Sequence, residues 1–348
     1  MKYGAPTTQG TNRQKAASHT TKEFEDARGN VARKLMITYA LRRLGAGIVL
    51  ALLVTMITFF LLSGSLESVA RERLGSAATP ESIKGLMTQL GFDRPALVQY
   101  LDWLGSVITG DFGTSLFTSQ PVAPAVASRL GVTLSLVVTA LIITVIVSVA
   151  LGVWAASRGG VADKVSQGLS LVGYIVPGLL IAIVLVAVLA VNLKLLPATG
   201  FTPFAQNPTK WAASITIPVI VLVIGGVANM AAQVRGSMID ELRKDYVRTL
   251  RTRGIPTRSI VLRHALRNAA SPALTVLSLE FIQMLGGALI IENVFALPGY
   301  GQYAFNASLQ GDIPIIMGIT LFSVMLVVTV NLITDVVNGW LNPKARIN

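Results

Sequence analysis

LGVTLSLVVTALIITVIVSVALGVWAAS, residues 130–157, is an apolar run of 28 residues without a charged side chain. The hydrocarbon core of a bilayer is about 30 Å thick, and about 20 apolar helical residues cross it. Three more charge-free runs, at 44–66, 165–193 and 211–234, are also long enough. The sequence therefore predicts at least four membrane-spanning helices.

Two later runs are apolar but contain acidic residues. The run at 273–296 contains Glu280 and Glu292, and the run that begins near Ile313 contains Asp335. Counting both, the predicted fold class is all-α, a polytopic membrane protein with about six transmembrane helices within a permease domain at 39–348. The six predicted spans are 44–64, 131–156, 165–192, 212–234, 273–296 and 313–340.

The composition excludes several functional classes. Of the 348 residues, 52% are hydrophobic and only 13% are charged, whereas soluble domains carry about 25% charged residues. The absence of cysteine excludes disulfides, thiolate zinc sites and cysteine nucleophiles. Because neither HExxH nor GxSxG occurs, an intramembrane hydrolase is disfavoured. The sequence predicts a non-catalytic membrane subunit.

The net charge of +12 is confined to the loops, which argues against a nucleic-acid partner and for contact with membrane lipid. With the N-terminus in the cytosol, 22 of the 29 basic residues lie inside and 7 outside, as the positive-inside rule prefers. We therefore expect a multi-pass protein with both termini in the cytosol and an extracytoplasmic segment at 65–130.

The N-terminal residues 1–38 are polar and contain few large apolar side chains. Such a composition is typical of a disordered tail, here a cytosolic one. A signal peptide is the alternative. It is disfavoured because the first apolar run begins only near Leu44, is long enough to span, and lacks an A-x-A-like exit.

The basic loop, residues 235–272, has a helix–stop–helix pattern. Its first part, MIDELRKDYVRTLRTR, is amphipathic, and Ser237 with Asp240 resembles a capping box at its start. Gly254 and Pro256 form a stop, and Thr257 can cap a second basic helix that ends before Pro272. A loop lying on anionic lipid is the alternative, but the order of elements favours a docking element.

Several motifs in this loop and elsewhere resemble one family. DYVRTLRTRG (245–254), RHALRN (263–268) and Pro272 resemble the coupling loop of ABC importer permeases, most closely the dipeptide and oligopeptide branch. Further landmarks extend the resemblance over residues 39–346: YALRRL (39–44), GFDRPALVQYLDWLGSVITGDFGTS (91–115), LLPATG (195–200), ENVFALPGYG (292–301) and NLITDVVNGWLNPKAR (331–346). The chain is thus identified as similar to the B-type subunit of these importers, with a type I importer fold.

The resemblance implies partners and a docking site. The coupling loop of the family contacts ABC ATPase subunits, of which one or two kinds are expected, and a bacterial cytoplasmic membrane is implied. A second homologous permease chain and an extracytoplasmic peptide-binding protein complete the expected assembly. No cofactor is expected in this chain, because ATP and Mg are bound by the ATPases. The residues that would dock are Asp245, Tyr246, Arg248, Thr249, Leu250 and Gly254; Leu250 replaces the alanine usual in the family.

Candidate gate residues lie in and after the fifth predicted span. Ionisable groups within a membrane cost several kcal/mol unless they face a cavity or a partner, so Glu280 and Glu292 are candidates. A backbone break after Glu292 would line the entrance or exit of a channel. Glu280 either lines the path or hydrogen-bonds within the protein. The candidate gate residues are Glu280, Glu292, Asn293, Phe295, Pro298 and Gly299.

The predicted function is a channel-forming permease subunit that moves di- or oligopeptides by alternating access in an ATP-driven importer. Importers of glutathione or nickel in the same family are an alternative. A proton-coupled secondary transporter that uses Glu280 or Glu292 is another. It would not need the docking pattern of residues 235–272, so this loop discriminates between the two mechanisms.

Overall fold

The computed structural model describes residues 41–341, which are helical and contain no strand. The predicted tail at 1–38 lies outside the described residues. The chain divides into two compact units between Leu50 and Ala51, within the first helix, and residues 51–341 belong to the second unit. The helices are α1 Leu41–Ser63, α2 Leu66–Leu74, α3 Pro80–Gln89, α4 Ala96–Ile108, α5 Val122–Arg158, α6 Gly160–Ile175, α7 Gly178–Leu185, α8 Pro208–Leu242, α9 Asp245–Thr252, α10 Thr257–Ser259, α11 Leu266–Val294, α12 Tyr300–Gln310 and α13 Ile313–Leu341.

Within residues 41–341, five helices are long and apolar enough to cross a membrane, namely α1, α5, α8, α11 and α13. A sixth candidate span is α6 together with α7 and its π-helical continuation, Val186–Asn192, and it is bent by 95° between the two helices. Val176, between them, is extended at φ −79° and ψ 119°, because the ring of Pro177 disfavours a helical conformation in the preceding residue. The predicted all-α membrane fold is confirmed, although residues 165–192 do not form one straight helix.

Helix α8 packs against α5, α6 and α11. Two crossings are close because they contain glycine. A Cβ atom on Gly152 of α5 would lie 2.7 Å from Val234 Cγ1 and 2.9 Å from the backbone nitrogen of Arg235. On Gly173 of α6, it would lie 2.9 Å from the Ile224 carbonyl oxygen. Larger residues would push these helices apart.

The segment at 65–130 folds into the short helices α2 to α4 and the first turns of α5. The turn before α5 is fixed to the start of α13 by a buried carboxylate. Asp312 is 3% exposed. It accepts hydrogen bonds from the Ser115 hydroxyl at 2.5 Å and from the Leu116 N–H at 3.1 Å. The GDFGTS landmark is therefore held by a residue almost 200 positions later in the chain.

In the basic loop, two boundary predictions are wrong. Helix α8 continues to Leu242, so Ser237 and Asp240 lie inside a spanning helix and start no new one. The short helix α10 continues as a π-helical segment, Ile260–Ala265, directly into α11, which passes through Pro272. Neighbouring helices can satisfy the backbone groups that a proline frees in a spanning helix. The predicted second helix is thus the beginning of α11.

Candidate functional site

Helix α9, Asp245–Thr252, contains most of the predicted docking residues, and we call it the docking helix. It begins after Lys244, which is extended at ψ 150°, and it ends before Gly254. Gly254 has φ +74°, a conformation that costs other residues energy. The next N–H, of Ile255, closes the end by donating to the Leu250 carbonyl at 3.2 Å. The docking helix therefore ends at Gly254, as the sequence predicts.

One face of the docking helix is buried against the protein and the other is exposed. Val247 is fully buried, whereas Tyr246 and Leu250 are half-buried. Arg248 and Thr249 are exposed, and Arg248 makes a 3.6 Å ion pair with Asp245 in which both side chains are largely exposed. Because exposed ion pairs contribute little stability, this basic face can exchange its contacts for those of another surface.

A buried carboxylate that the sequence analysis missed holds the docking helix in place. Glu241, in the last turn of α8, is 5% exposed. It accepts hydrogen bonds from the Lys244 ammonium at 2.5 Å and the Tyr246 hydroxyl at 2.9 Å. Asn268 of α11 donates to the same hydroxyl at 3.4 Å. We call these four residues the Glu241 network; it joins α8, the docking helix and α11.

The Glu241 network favours the protonated forms of its donors. The hydrogen bond to Glu241 raises the pKa of Lys244 above its ordinary value. Burial raises the pKa of Tyr246. Both side chains therefore remain donors at neutral pH. In the sequence, Lys244 follows Glu241 at a spacing of three, which brings side chains together on a helix. Tyr246 follows at a spacing of five, which does not, and Asn268 is too distant in the chain for any local pattern.

Glu292, a predicted gate residue, is fully buried at the end of α11. Its carboxylate accepts hydrogen bonds from the Thr133 hydroxyl of α5 and from the Gln302 N–H of α12 at 2.9 Å. Thr133 in turn accepts from the Tyr300 N–H at 2.8 Å. A carboxylate beside the first N–H groups of a helix compensates their missing partners and the helix dipole. Glu292 therefore caps α12 and ties it to α5.

The other predicted gate residues surround this cap. Gly299 is buried, and a Cβ atom there would lie 2.2 Å from the Glu292 carboxyl carbon. Phe295 is buried and its carbonyl accepts from the Gly200 N–H at 3.0 Å. Asn293 donates to the Leu289 carbonyl at 2.8 Å, and Pro298 is exposed. The structure brings these residues together around one turn, and their role in gating stays a prediction.

Glu280 lies apart from that turn, about 18 Å away along α11 at 1.5 Å per residue. It is 4% exposed, and one of its carboxylate oxygens lies 2.9 Å from where a Cβ atom on Gly226 of α8 would be. Asn229 lies about one turn further along α8. The two acids of the fifth predicted span therefore belong to separate sites.

Comparison with known proteins matches nearly the whole chain to transport-system membrane components. A family profile described as "Binding-protein-dependent transport system inner membrane component" matches residues 148–347, and a second, for the N-terminal part of such components, matches residues 36–137. A putative peptide transport system permease protein of Brucella melitensis is 34% identical over 90% of this chain and 99% of its own length. The dipeptide transport system permease protein DppB of Bacillus subtilis is also 34% identical, over 90% and 99%.

Proposed function

Because the chain belongs to the family of binding-protein-dependent transport system inner membrane components, we propose that it moves di- or oligopeptides through an ATP-driven importer. The motif resemblance to this family is confirmed by the profile matches. The observation that carries the peptide assignment is the similarity, over 90% of the chain, to relatives named as peptide and dipeptide permeases. The same similarity disfavours a proton-coupled secondary transporter.

A binding-protein-dependent system of this kind contains a binding protein and ATPase subunits besides the membrane component. In the assembly that we propose, this chain forms one half of the channel and a second homologous permease the other half. One or two kinds of ATPase subunit supply ATP and Mg. As a multi-pass inner-membrane protein, the chain would have both termini and the basic loop in the cytosol, as the distribution of its basic residues favours.

The proposed mechanism starts at the docking helix. ATP-driven closure of the ATPases displaces the exposed basic face of α9, and the Glu241 network passes this displacement to α8 and α11. Alternating access follows when these helices shift between two packed arrangements. The buried Val247 and the hydrogen bonds of Glu241 support this route, because they connect the docking helix directly to two candidate spans.

Two variants of the docking helix test this function. Gly254→Pro should distort the end of the helix, because proline cannot adopt φ +74°. Leu250→Asp should weaken docking by placing a charge on its apolar edge. In proteoliposomes that contain the complete importer, we expect both variants to insert normally and to lower peptide uptake per ATP hydrolysed by about tenfold or more, equivalent to about 1.4 kcal/mol.

The control is Thr257→Asp, which adds the same charge to the same loop. Thr257 is exposed at the start of α10, where an acid is compatible with the helix dipole, so uptake should remain normal. Unchanged uptake in both docking-helix variants would refute the coupling assignment. If the wild-type importer moved no di- or oligopeptide with its binding protein present, the proposed substrate class would be wrong.

A further inference from the structure

The spans differ in the chemistry of their exposed surfaces. On the central parts of α5 and α13, exposed apolar side chains are numerous, among them Ile142, Ile146 and Met325. On the side where α6, α8 and α11 meet, the exposed or half-buried side chains include amides, at Gln167, Asn229 and Gln283. Polar groups within a membrane are costly unless they face water, a cavity or a partner. This second face therefore combines exposed apolar side chains, such as Leu171 and Ile282, with amides that need a polar partner.

A groove of about 360 Å³ lies between α6 and α8 on this polar face. At one end, Arg235 and Asp163 form an ion pair with two hydrogen bonds, one of them 2.8 Å long. The pair leaves this end without net charge. The polar side chains that line the groove are Ser166, Gln167, Ser170, Tyr174, Asn229 and Arg235. Such a lining offers hydrogen bonds without selecting for the charge of a ligand.

The amides of Asn229 and Gln283 meet at the edge of this groove. The Asn229 Nδ2 atom lies 3.5 Å from Gln283 Oε1, a distance typical of a weak hydrogen bond. The carboxylate of Glu280 lies close behind, with one oxygen 2.9 Å from where a Cβ atom on Gly226 would be, three residues before Asn229 on α8. In the hydrogen bond between the two amides, the nitrogen of Asn229 donates and the oxygen of Gln283 accepts.

This arrangement leaves one acceptor and one donor side by side. Among the described residues, neither Asn229 Oδ1 nor Gln283 Nε2 forms a further hydrogen bond. An acceptor and a donor are what the N–H and C=O groups of a peptide backbone require. They can bind it whatever side chains the peptide carries, as a transporter of varied peptides requires.

We propose that Asn229 and Gln283 form a peptide-backbone binding site on the wall of the transport path, with Glu280 as the residue that positions Asn229. The inference rests on the proposed function and adds to it a contact point within the spans. Because Glu280 is 4% exposed, it acts through Asn229 and does not touch the peptide.

The absence of cysteine in this chain permits a direct test. Asn229→Cys, Gln283→Cys and Ile146→Cys are introduced singly into the complete importer, with the other subunits free of cysteine, in proteoliposomes. A charged, water-soluble thiol reagent should label the first two variants, because thiolates form in contact with water. Ile146, 63% exposed on the apolar face of α5, is the matched control and should stay unlabelled.

Peptide should protect the site. Saturating peptide with its binding protein, under turnover, should slow labelling of Asn229→Cys and Gln283→Cys severalfold. Labelling as low as that of Ile146→Cys, or labelling that ignores peptide, would overturn the proposal. So would cross-linking of both positions to the second permease chain in every state of the cycle, because this face would then be a subunit interface.

Substitution tests the hydrogen bonds themselves. Asn229→Ala and Gln283→Ala should each lower peptide uptake per ATP hydrolysed by up to about tenfold, the effect of one hydrogen bond at the strong end of the usual range. Thr329→Ala on α13 is the control, because the Thr329 hydroxyl already donates to the Met325 carbonyl at 2.7 Å. Normal uptake in both amide variants would refute the site while leaving the importer function intact.

Glu280 is tested through its effect on the amide pair. Glu280→Gln keeps an acceptor for Asn229 and should retain peptide protection of the Gln283→Cys variant. Glu280→Leu removes the acceptor and should abolish that protection even where the complex still assembles. A purely structural role would instead alter the thermal stability of the complex and leave protection unchanged, which would overturn the positioning role.

Discussion

Replacing Glu292 by alanine should prevent stable folding of the permease, with a loss of about 3 kcal/mol or more. The change leaves the Thr133 hydroxyl and the Gln302 N–H of α12 without the acceptor that the fully buried Glu292 supplies. Each buried polar group that loses its partner costs about 1–3 kcal/mol. The measurement is thermal unfolding of the purified importer, followed by the yield of assembled complex.

Gly299→Ala provides an internal check. Alone, its methyl group would collide with the Glu292 carboxyl group, and we expect a similar loss of stability. Combined with Glu292→Ala, it should cost less than the sum of the two changes, because the carboxylate no longer occupies that space. Glu81→Ala, at an exposed acid of α3, is the matched control. An assembled Glu292→Ala complex of normal stability that leaks peptide would identify Glu292 as a gate residue instead.

Glu241→Ala should disconnect the docking helix from the spans. It removes the acceptor of Lys244 and Tyr246, and hydrogen bonds to charged groups contribute about 1.5–3 kcal/mol each. We expect peptide uptake to fall by more than tenfold, while the ATPase subunits still hydrolyse ATP. The ratio of peptide transported to ATP hydrolysed, measured in proteoliposomes, reports this loss of coupling.

The controls separate the network from its neighbours. Asp240→Ala removes an exposed acid from the same turn and should leave the ratio unchanged. Glu241→Gln retains an acceptor for the Tyr246 hydroxyl and should have a smaller effect. Tyr246→Phe, which removes only that hydroxyl, should show a non-additive effect when combined with Glu241→Ala. Normal coupling in Glu241→Ala would mean that another contact transmits the displacement.

The sequence predicted the features that depend on local composition. The length of each apolar run predicted the position of a membrane-spanning helix, because such a helix must cross a fixed thickness of hydrocarbon. Gly254 and Pro256 determined the end of the docking helix, because their backbone preferences act within one turn. The beginning of that helix was not readable, since Met238 and Leu242 fit the apolar pattern of α8 as well as that of a separate amphipathic helix.

The sites that hold helices together could not be read in the same way. Glu292 accepts a hydrogen bond from Thr133, which is 159 residues away in the chain. No spacing pattern in one sequence relates such positions. Seen alone, a glutamate in an apolar run indicates a functional group facing a cavity. The structure instead supplies it with hydrogen-bond donors from two other helices. Glu241 was missed for the converse reason, because an acid in a basic loop is unremarkable until its burial is known.

The close crossings at Gly152 and Gly173 also bear on how force travels through the protein. Packed interiors have little free volume and do not compress easily. Where backbone meets backbone, as at the Ile224 carbonyl, there is no flexible side chain to absorb a push. Helices α5, α6 and α8 would therefore move as one rigid body. A displacement of the docking helix would also move the polar face, because the helices between them cannot repack to absorb it.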